Sequence, residues 1–384
     1  MSAILPGKTV GIFGGGQLGR MMAMAARSFG YKIHVLDPDP ACPAAYVVDK
    51  VIEASWRDDW EAGNLARGCD VVTLEIEQIS PESMAMASRF APVRPGAQML
   101  AIIQDKVEQK TWLQKMGFPV GPFRGVHSLD QLSSAVMELG GDCFIKSARG
   151  GYDGRGQARM YPEEVSDGSI RDAWLAVGET DCVVEKAVDL EQEISVMVSR
   201  SPSGEVKVFP AAGNVHENQI LVWSVIPAPI PHELDRQARQ IGEALADTFQ
   251  LEGLLAVEMF VTKDGKLLIN ELAPRPHNSY HQSERACVTG QFEQAIRAVC
   301  NLPLGDVSLV QPAAIVNLLG EVWLDEQGNE RQPRFDAALA VTGVRLHLYE
   351  KLKPRRGRKM GHLSAVGVTG DEAIARVREA KSRL

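Results

Sequence analysis

Short apolar runs alternate with helix-like segments along the first hundred residues of the chain. Residues 9–13 form an apolar run that predicts a buried strand. The apolar positions that then recur at the spacing of one helix face are Leu18, Met21, Met22 and Ala25. Further strands are predicted near 31–36, 47–52 and 69–74, with a helical stretch around 57–67. Strands that alternate with helices are typical of a parallel α/β sheet, so we predict a Rossmann-like domain over residues 1–105.

The hydrophobic pattern changes after residue 105. A helix is predicted from Lys106 to Gly117, and Ser128 followed by Gln131 resembles a capping box that begins the next helix. From residue 142 onward the pattern favours short antiparallel strands, predicted at 143–146, 182–186, 193–199 and 206–211. We therefore predict an α+β domain over 106–305 and a small β-rich domain over 306–384.

Composition limits the classes of function. The chain has 384 residues, with 41 Lys and Arg against 49 Asp and Glu, a formal net charge of −8. This acidic balance argues against a nucleic-acid partner, which usually meets a basic face. No apolar run reaches the ~18 residues that a membrane helix needs, so no membrane partner is expected. The six cysteines are scattered without a C-x-x-C pair, which is typical of reduced thiols in a cytoplasmic protein.

A glycine-rich turn follows the first predicted strand. Gly14-Gly-Gly16-Gln-Leu-Gly19 matches G-x-G-x-x-G at the start of a helix, and Asp37 ends the next strand. The N–H groups at a helix N-terminus can hold an anion. The motif alone leaves three interpretations open: a nicotinamide dinucleotide site, a site for another phosphate-bearing ligand, or a structural turn.

A second motif is an apolar hairpin near residue 260. Strands at 254–262 and 267–271 flank an Asp264-Gly265 turn, and this register sets Glu258 opposite Glu271. Like charges directly opposite are destabilising, so a hard divalent cation that bridges phosphate oxygens is the expected partner. The alternative is a solvated pair at a sheet edge. In the ideal register Asn270 points to the other face, so a ligand role for it needs a local bend.

A third motif is the loop 150–156, with four glycines in seven residues after the strand that bears Lys146. Such a loop can bring backbone N–H groups close to phosphates and still open and close. It does not match G-x-x-x-x-G-K-[ST], so it is no P-loop. The alternative is a flexible hairpin connection.

Taken together, the motifs resemble a known superfamily. The residues that follow one another in ATP-grasp order are Lys106, Lys146, the 150–156 loop, the 185–188 stretch, Glu193, Glu258, Asn270 and Glu271. Three longer motifs narrow the resemblance to the N5-carboxyaminoimidazole ribonucleotide synthetase family: 14–20 with 36–40, Asn270-Glu-Leu-Ala-Pro-Arg-Pro-His-Asn278, and Arg358-Lys-Met-Gly-His362. The similarity extends to about residue 366. One departure is Tyr280, where the family pattern has glycine.

The resemblance implies an ATP-grasp fold with an N-terminal pre-ATP-grasp domain, and a lid subdomain of the ATP-grasp domain at about 120–187. It also implies a set of ATP-binding residues, in which Lys106 and Lys146 meet the phosphates, 185–188 contact adenine and Glu193 accepts the ribose hydroxyls. The whole set is Lys106, Lys146, Gly151, Tyr152, Asp153, Gly154, Arg155, Gly156, Gln157, Glu185, Lys186, Ala187, Val188, Glu193, His216, Asn270 and Glu271. Mg²⁺, with Mn²⁺ as the substitute, would bind Glu258, Glu271 and Asn270.

The resemblance further implies an acceptor site and a reaction. The residues expected to bind 5-aminoimidazole ribonucleotide are Gly16, Gln17, Leu18, Glu75, Lys351 and Arg358, the last two in a basic run that could otherwise be a solvated loop. The expected catalytic residues are Arg275, His277, Tyr152 and Arg155. The implied activity is ATP-dependent carboxylation with bicarbonate by a cytoplasmic homodimer. Alternatives are another ATP-grasp ligase, such as a formate-dependent glycinamide ribonucleotide transformylase, a nicotinamide-dependent dehydrogenase and a non-catalytic nucleotide sensor.

Overall fold

The computed structural model describes residues 2–150, 156–217 and 219–384. Its N-terminal part is a parallel four-stranded sheet in the order β3-β2-β1-β4. The strands are Thr9–Phe13 (β1), Lys32–Asp37 (β2), Lys50–Glu53 (β3) and Val71–Leu74 (β4). The helices are Gln17–Ser28 (α1), Asp59–Arg67 (α2), Pro81–Ala87 (α3) and Ala97–Ile103 (α4). The predicted α/β unit is therefore confirmed.

The next part contains a separate antiparallel sheet in the order β5-β8-β6-β7. Its strands are Phe123–Val126 (β5), Cys143–Ser147 (β6), Gln157–Met160 (β7) and Cys182–Lys186 (β8). The helices are Lys106–Lys115 (α5), Leu129–Glu138 (α6) and Asp167–Ala176 (α7). Ser128 caps α6 by accepting from the Gln131 N–H, but the Gln131 side chain accepts from the His127 N–H and not from that of Ser128. Half of the predicted capping box is thus formed.

The largest sheet has nine antiparallel strands, eight of them in the order β14-β13-β9-β11-β12-β15-β17-β16, with β10 paired to β9. The strands are Leu190–Arg200 (β9), Val206–Val208 (β10), Ala212–Glu217 (β11), Ile220–Ile226 (β12), Gly253–Thr262 (β13), Leu267–Ala273 (β14), Ala313–Leu319 (β15), Val344–Leu348 (β16) and Lys359–Val366 (β17). The helices are His232–Phe249 (α8), Ser283–Ala286 (α9), Gln291–Val299 (α10), Phe335–Leu339 (α11) and Gly370–Ser382 (α12).

The C-terminal strands belong to this same sheet, because β15 pairs with β12. The region predicted as a third domain therefore shares its hydrogen bonding with the α+β domain. The limits 1–105, 106–305, 120–187 and 306–384 stay predictions.

The main core joins the N-terminal sheet to the largest sheet. Met21 and Met22 of α1 pack in one buried cluster with Phe292 and Ile296 of α10. Burying such side chains stabilises the fold by roughly 1.5–3 kcal/mol each. The end of β1 and the start of α1 are thereby held against the segment that follows β14. In the described part of the chain, no helix has both the length and the apolar character needed to cross a membrane.

The β13–β14 hairpin differs in detail from its predicted register. Thr262 pairs with Lys266 around a three-residue turn in which Gly265 adopts a φ of +76°, not around a two-residue Asp-Gly turn. A bulge at Asn270 then shifts the register by one residue. The two differences cancel, so Glu258 still pairs with Glu271 as predicted.

Candidate active site

The acidic pair at the end of the hairpin is held by basic neighbours. Lys106 at the start of α5 places its Nζ 2.5 Å from Glu271 Oε1, and His277 Nε2 lies 3.4 Å from Glu258 Oε1. Burial raises the pKa of Glu258, and the charges of Glu271 and Glu193 raise it further against the effect of His216. Lys106 outweighs burial and holds the pKa of Glu271 below its ordinary value. The two carboxyls of the pair therefore differ: Glu258 holds a proton more readily than a free carboxyl, and Glu271 less readily.

Glu185 at the end of β8 lies between two lysines. Its carboxylate is 2.8 Å from Lys146 Nζ and 3.2 Å from Lys110 Nζ. Although burial acts to raise the pKa of Glu185, Lys146 and Lys110 lower it to about 2. The bulge turns the Asn270 side chain toward this cluster, 3.4 Å from Lys146 Nζ. The local bend that a ligand role for Asn270 requires is thus present.

Lys110 was missed by the sequence analysis. It is buried, and its Nζ also donates to the Asn270 carbonyl oxygen at 3.2 Å. Burial lowers its pKa, since the loss of hydration outweighs Glu185. Lys110 could have been identified from its spacing, because it lies four residues after Lys106 on α5 and residues four apart share one helix face.

A narrow cavity opens beside Glu185 between the small sheet and the largest sheet. Its lining includes Gly121, Pro122, Val188, Phe260 and Ile269. The N–H groups of Lys186 and Ala187 already donate to the carbonyl oxygens of Pro122 and Asp142, both at 2.9 Å. Adenine contacts predicted for 185–188 must therefore come from other groups of this stretch.

Glu193 and His216 form a pair on adjacent strands β9 and β11. His216 Nδ1 lies 2.6 Å from Glu193 Oε2. Burial acts to lower the pKa of His216, but Glu193 raises it above its ordinary value. The two residues predicted to contact the nucleotide are thus brought together, and the charge of Glu258 also acts to raise the pKa of His216.

Arg275 and His277 follow β14. Arg275 Nε lies 2.7 Å from Glu77 Oε1, which links the end of β14 to the segment after β4. Glu77 was also missed, although it lies two residues beyond Glu75 at the carboxyl end of a parallel strand, where ligands usually bind. Burial lowers the pKa of His277 well below its ordinary value, so the ring is neutral near pH 7. Its Nδ1 lies 2.8 Å from Ser279 Oγ.

The glycine turn before α1 binds carboxylates of its own chain. Glu75 accepts the N–H groups of Gly16 at 2.6 Å and Gly19 at 2.8 Å, and Asp37 accepts that of Gly15 at 2.7 Å. A Cβ at Gly16 would lie 2.5 Å from Glu75 Oε1, so a larger residue there would have to displace the Glu75 carboxylate. Because these N–H groups already donate to Glu75 and Asp37, they are not available to bind the pyrophosphate of a dinucleotide. Burial raises the pKa of Glu75.

The other predicted acceptor residues approach from three parts of the chain. Gln17 Nε2 donates to Asn278 Oδ1, and Lys351 Nζ donates to Gln17 Oε1, both at 2.7 Å. The Leu18 side chain lies in the main core, so only its backbone faces the site. Arg358 donates to the Lys353 carbonyl oxygen at 2.7 Å.

Tyr280, which departs from the family pattern, lies in the core, and five of the predicted site residues lie outside the described part of the chain. Tyr280 is fully buried, packs edge-on against Phe209, and places its hydroxyl 2.9 Å from the Ser195 and Pro210 carbonyl oxygens. Its ring therefore belongs to the core and not to the site. Gly151, Tyr152, Asp153, Gly154 and Arg155 lie outside the described residues. Gly156 precedes β7 and accepts the Ser147 N–H at 2.8 Å, and Gln157 begins β7 and pairs with Lys146.

Three family models match the chain in sequence order. A ribonucleotide synthetase preATP-grasp domain matches residues 7–104, and an ATP-grasp domain matches 111–292. A phosphoribosylaminoimidazole carboxylase C-terminal domain matches 313–376. The predicted combination of fold types is confirmed.

Individual relatives match over nearly the whole chain. The N5-carboxyaminoimidazole ribonucleotide synthase of Bacillus subtilis (strain 168) is 40% identical over 97% of this chain and 95% of its own. A crystal structure of the ADP complex of an N5-carboxyaminoimidazole ribonucleotide synthetase has a TM-score of 0.90 and 43% identity, covering 99% and 98% of the two chains. The Aspergillus clavatus N5-carboxyaminoimidazole synthase, in complex with ADP and 5-aminoimidazole ribonucleotide, has a TM-score of 0.88 and 28% identity over 98% and 99%.

Proposed function

This chain belongs to the N5-carboxyaminoimidazole ribonucleotide synthase family, and we propose that it is the ATP-dependent ligase that carboxylates 5-aminoimidazole ribonucleotide in purine biosynthesis. One observation supports this best. The segment from Asn270 to Asn278 contacts Lys146 at one end and Gln17 at the other. A single stretch of chain thus connects the cluster suited to ATP phosphates with the one suited to the ribonucleotide.

ATP would bind between the small sheet and the largest sheet. Lys106 and Lys146 would exchange their carboxylate partners for phosphate oxygens, which suit a compact ammonium charge. The cavity beside Phe260 and Val188 would take adenine, and Glu193 with His216 would hold the ribose. In this structure Lys106 Nζ lies 2.5 Å from Glu271 Oε1 and Lys146 Nζ lies 2.8 Å from Glu185 Oε2, so both ammonium groups are already oriented.

The acidic pair fits Mg²⁺, or Mn²⁺ in its place. No group of three or more His, Cys, Asp or Glu side chains arranged for a metal is found among the described residues. Mg²⁺ needs fewer, because one or two carboxylates with substrate phosphates and water commonly complete its shell. Glu258 and Glu271 would hold the ion, with Asn270 beside them. When bound, it would neutralise charge on the transferring phosphoryl group.

The proposed reaction has two steps. A bicarbonate oxygen attacks the γ-phosphorus of ATP and the bond to ADP breaks, which gives carboxyphosphate. The exocyclic amine of the ribonucleotide then attacks the carboxyl carbon of carboxyphosphate, and phosphate leaves. Alternatively, carboxyphosphate first breaks down to phosphate and carbon dioxide, and the amine attacks the carbon of carbon dioxide. In both routes the amine loses a proton. Arg275 and His277 would hold bicarbonate and carboxyphosphate; in support, His277 lies 3.4 Å from Glu258, and Arg275 lies two residues before His277 in the same segment. The family resemblance also assigns Tyr152 and Arg155 to catalysis, but both lie outside the described residues.

The alternative functions are less well supported. A dehydrogenase would need the glycine N–H groups that Glu75 and Asp37 already occupy. A formate-using ligase shares the ATP residues, but the C-terminal family match and the relatives favour the carboxylase. A homodimer in the cytoplasm is proposed from the family resemblance alone.

Carbon-13 bicarbonate tests the proposal. With Mg-ATP and 5-aminoimidazole ribonucleotide present, the label should enter a new carbamate signal of the ribonucleotide. The signal should be lost when ATP is left out. A labelled product that requires formate, or ADP release without any labelled ribonucleotide, would contradict the proposal.

A further inference from the structure

A chain of hydrogen bonds runs behind the acceptor site and connects three parts of the molecule. Its members are Gln291, His281, Asn278, Gln17 and Lys351. Gln17 lies in α1, Lys351 in the loop between β16 and β17, and the other three in or before α10. The role of these hydrogen bonds in ribonucleotide binding rests on the proposed function. The assignment of the donor and the acceptor in each bond does not.

The donor and acceptor of each hydrogen bond can be assigned starting from Gln291. The His277 backbone N–H donates to Gln291 Oε1 at 2.8 Å, and Gln291 Nε2 donates to the His277 carbonyl oxygen at 3.0 Å. Backbone groups have fixed polarity, so the Gln291 amide cannot be reversed without losing both bonds. Its Nε2 is therefore the atom that lies 3.1 Å from His281 Nδ1. Since Nε2 can only donate, His281 Nδ1 must accept and the ring proton must be on Nε2.

The donors and acceptors can also be assigned starting from Lys351. An ammonium group can only donate, so the atom 2.7 Å from Lys351 Nζ is Gln17 Oε1. Gln17 Nε2 must then donate to Asn278 Oδ1, also at 2.7 Å. The atom of His281 that lies 3.1 Å from this same oxygen is Nε2, which must donate to it. The two ends require the same tautomer of His281.

The surroundings of His281 hold the ring in place. It is 1% exposed and stacks between Phe292, with ring centroids 5.7 Å apart, and His362, at 4.7 Å. His362 in turn stacks on His347 at 5.0 Å and lies 2.7 Å from the Tyr349 hydroxyl. Both ring nitrogens of His281 are thus used, and its two faces are covered.

We propose that His281, as a neutral ring protonated at Nε2, is a positioning residue for the ribonucleotide site. It fixes the Asn278 amide, which fixes Gln17 so that an oxygen faces the Lys351 ammonium. Without the His281 donor, Asn278 could rotate and Gln17 could present its NH₂ group to Lys351, two donors in contact. The ribonucleotide would then meet a lysine and a glutamine that are no longer oriented.

Two variants separate hydrogen bonding from packing. His281→Phe keeps an aromatic ring between Phe292 and His362 but can neither donate nor accept. His281→Gln keeps one donor group, its NH₂, and one acceptor atom, its carbonyl oxygen, in place of the two ring nitrogens. Binding of 5-aminoimidazole ribonucleotide and of ATP is measured by calorimetry on each folded protein, so no turnover is needed. We expect H281F to raise the Kd of the ribonucleotide about tenfold or more with the Kd of ATP unchanged, and H281Q to restore most of the loss.

Nitrogen-15 NMR of the histidine rings gives a second measurement on the unaltered protein. The proposal requires His281 to have an unprotonated Nδ1 and a protonated Nε2. The opposite tautomer would overturn it, as would normal ribonucleotide binding by folded H281F, or an H281Q variant no better than H281F. If wild type binds the ribonucleotide but does not carboxylate it, the proposed function fails while this inference stands.

Discussion

Charged side chains at the junction of the sheets are held in pairs. Lys106 pairs with Glu271 and Lys146 pairs with Glu185, while the His277 ring that lies 3.4 Å from Glu258 is neutral. A cation bound at Glu258 and Glu271 would release Lys106 for a phosphate. At the scale of single residues, the account therefore predicts which side chains serve which substrate.

Glu271→Gln should abolish turnover, because the metal loses a charged ligand and Lys106 loses its partner. ADP release is measured across a Mg²⁺ titration. Asp264→Asn, on the exposed turn of the same hairpin, is the matched control and should behave as wild type. Activity of Glu271→Gln within a few-fold of wild type at ordinary Mg²⁺ would remove this residue from the metal site.

Lys351→Ala and Arg358→Ala should each weaken ribonucleotide binding and leave ATP binding nearly unchanged. Loss of a charged hydrogen bond costs on the order of 1.5–3 kcal/mol, a roughly ten- to hundredfold rise in KM for the ribonucleotide. Lys353→Ala, in the same basic run but with an exposed side chain, is the control. A rise in KM for ATP instead would assign the run to the other substrate.

His277→Ala should reduce carboxylation by ~10²–10⁴, the usual range for a positioned acid–base group, while both substrates still bind. Melting temperature, ribonucleotide binding and product formation should be measured on one preparation. Near-normal turnover of fully folded variant would show that His277 is structural and leave Arg275 as the main residue at the bicarbonate site.

At the scale of elements, the β13–β14 hairpin shows what local sequence determines. The apolar alternation and the Asp264-Gly265 turn predicted that Glu258 faces Glu271, and the pairing holds because the longer turn and the bulge shift the register in opposite directions. They did not predict the three-residue turn or the bulge at Asn270. Each is accompanied by a contact that is distant in sequence: the Lys263 N–H donates to the Asp189 carbonyl oxygen, and Lys110 Nζ donates to that of Asn270. The bulge directs the Asn270 side chain toward Lys146, so the least predictable feature of the hairpin is the one closest to function.

The stacked histidines of β16, β17 and the segment after β14 predict an acid-sensitive fold. Burial lowers the pKa of His281 to about 3 and that of His362 well below 6.5. Above pH 6.5 these rings are neutral in both states and add no pH dependence. As the pH falls from 6.5 toward 3, the unfolded chain takes up protons that the folded chain excludes. The free energy of unfolding should then fall by about 1.4 kcal/mol per pH unit for each ring.

Urea unfolding of wild type and His281→Gln between pH 7 and pH 5 checks this expectation. The difference between the two slopes isolates His281 from the carboxylates, which both proteins share. The variant should lose less stability below pH 6.5. Equal slopes would show that His281 is protonated as easily in the folded protein as in the unfolded chain.

At the scale of the whole molecule, the site is assembled from distant parts of the chain. Gln17 meets Asn278 across 261 residues and Lys351 across 334. Sequence motifs predicted Gln17 and Lys351 only through the family resemblance, since no local pattern encodes contacts of this length. The same holds for the C-terminal strands, whose pattern predicted a small domain but not their pairing with β12.

The central claim is that one site couples ATP cleavage to carboxylation of 5-aminoimidazole ribonucleotide. Its most direct test is ADP production with bicarbonate and the ribonucleotide each left out in turn, alongside the complete mixture. The account predicts rapid ADP release only in the complete mixture, with one ribonucleotide carboxylated for each ADP formed. ADP release that needs neither substrate, or that needs formate in place of bicarbonate, would contradict it.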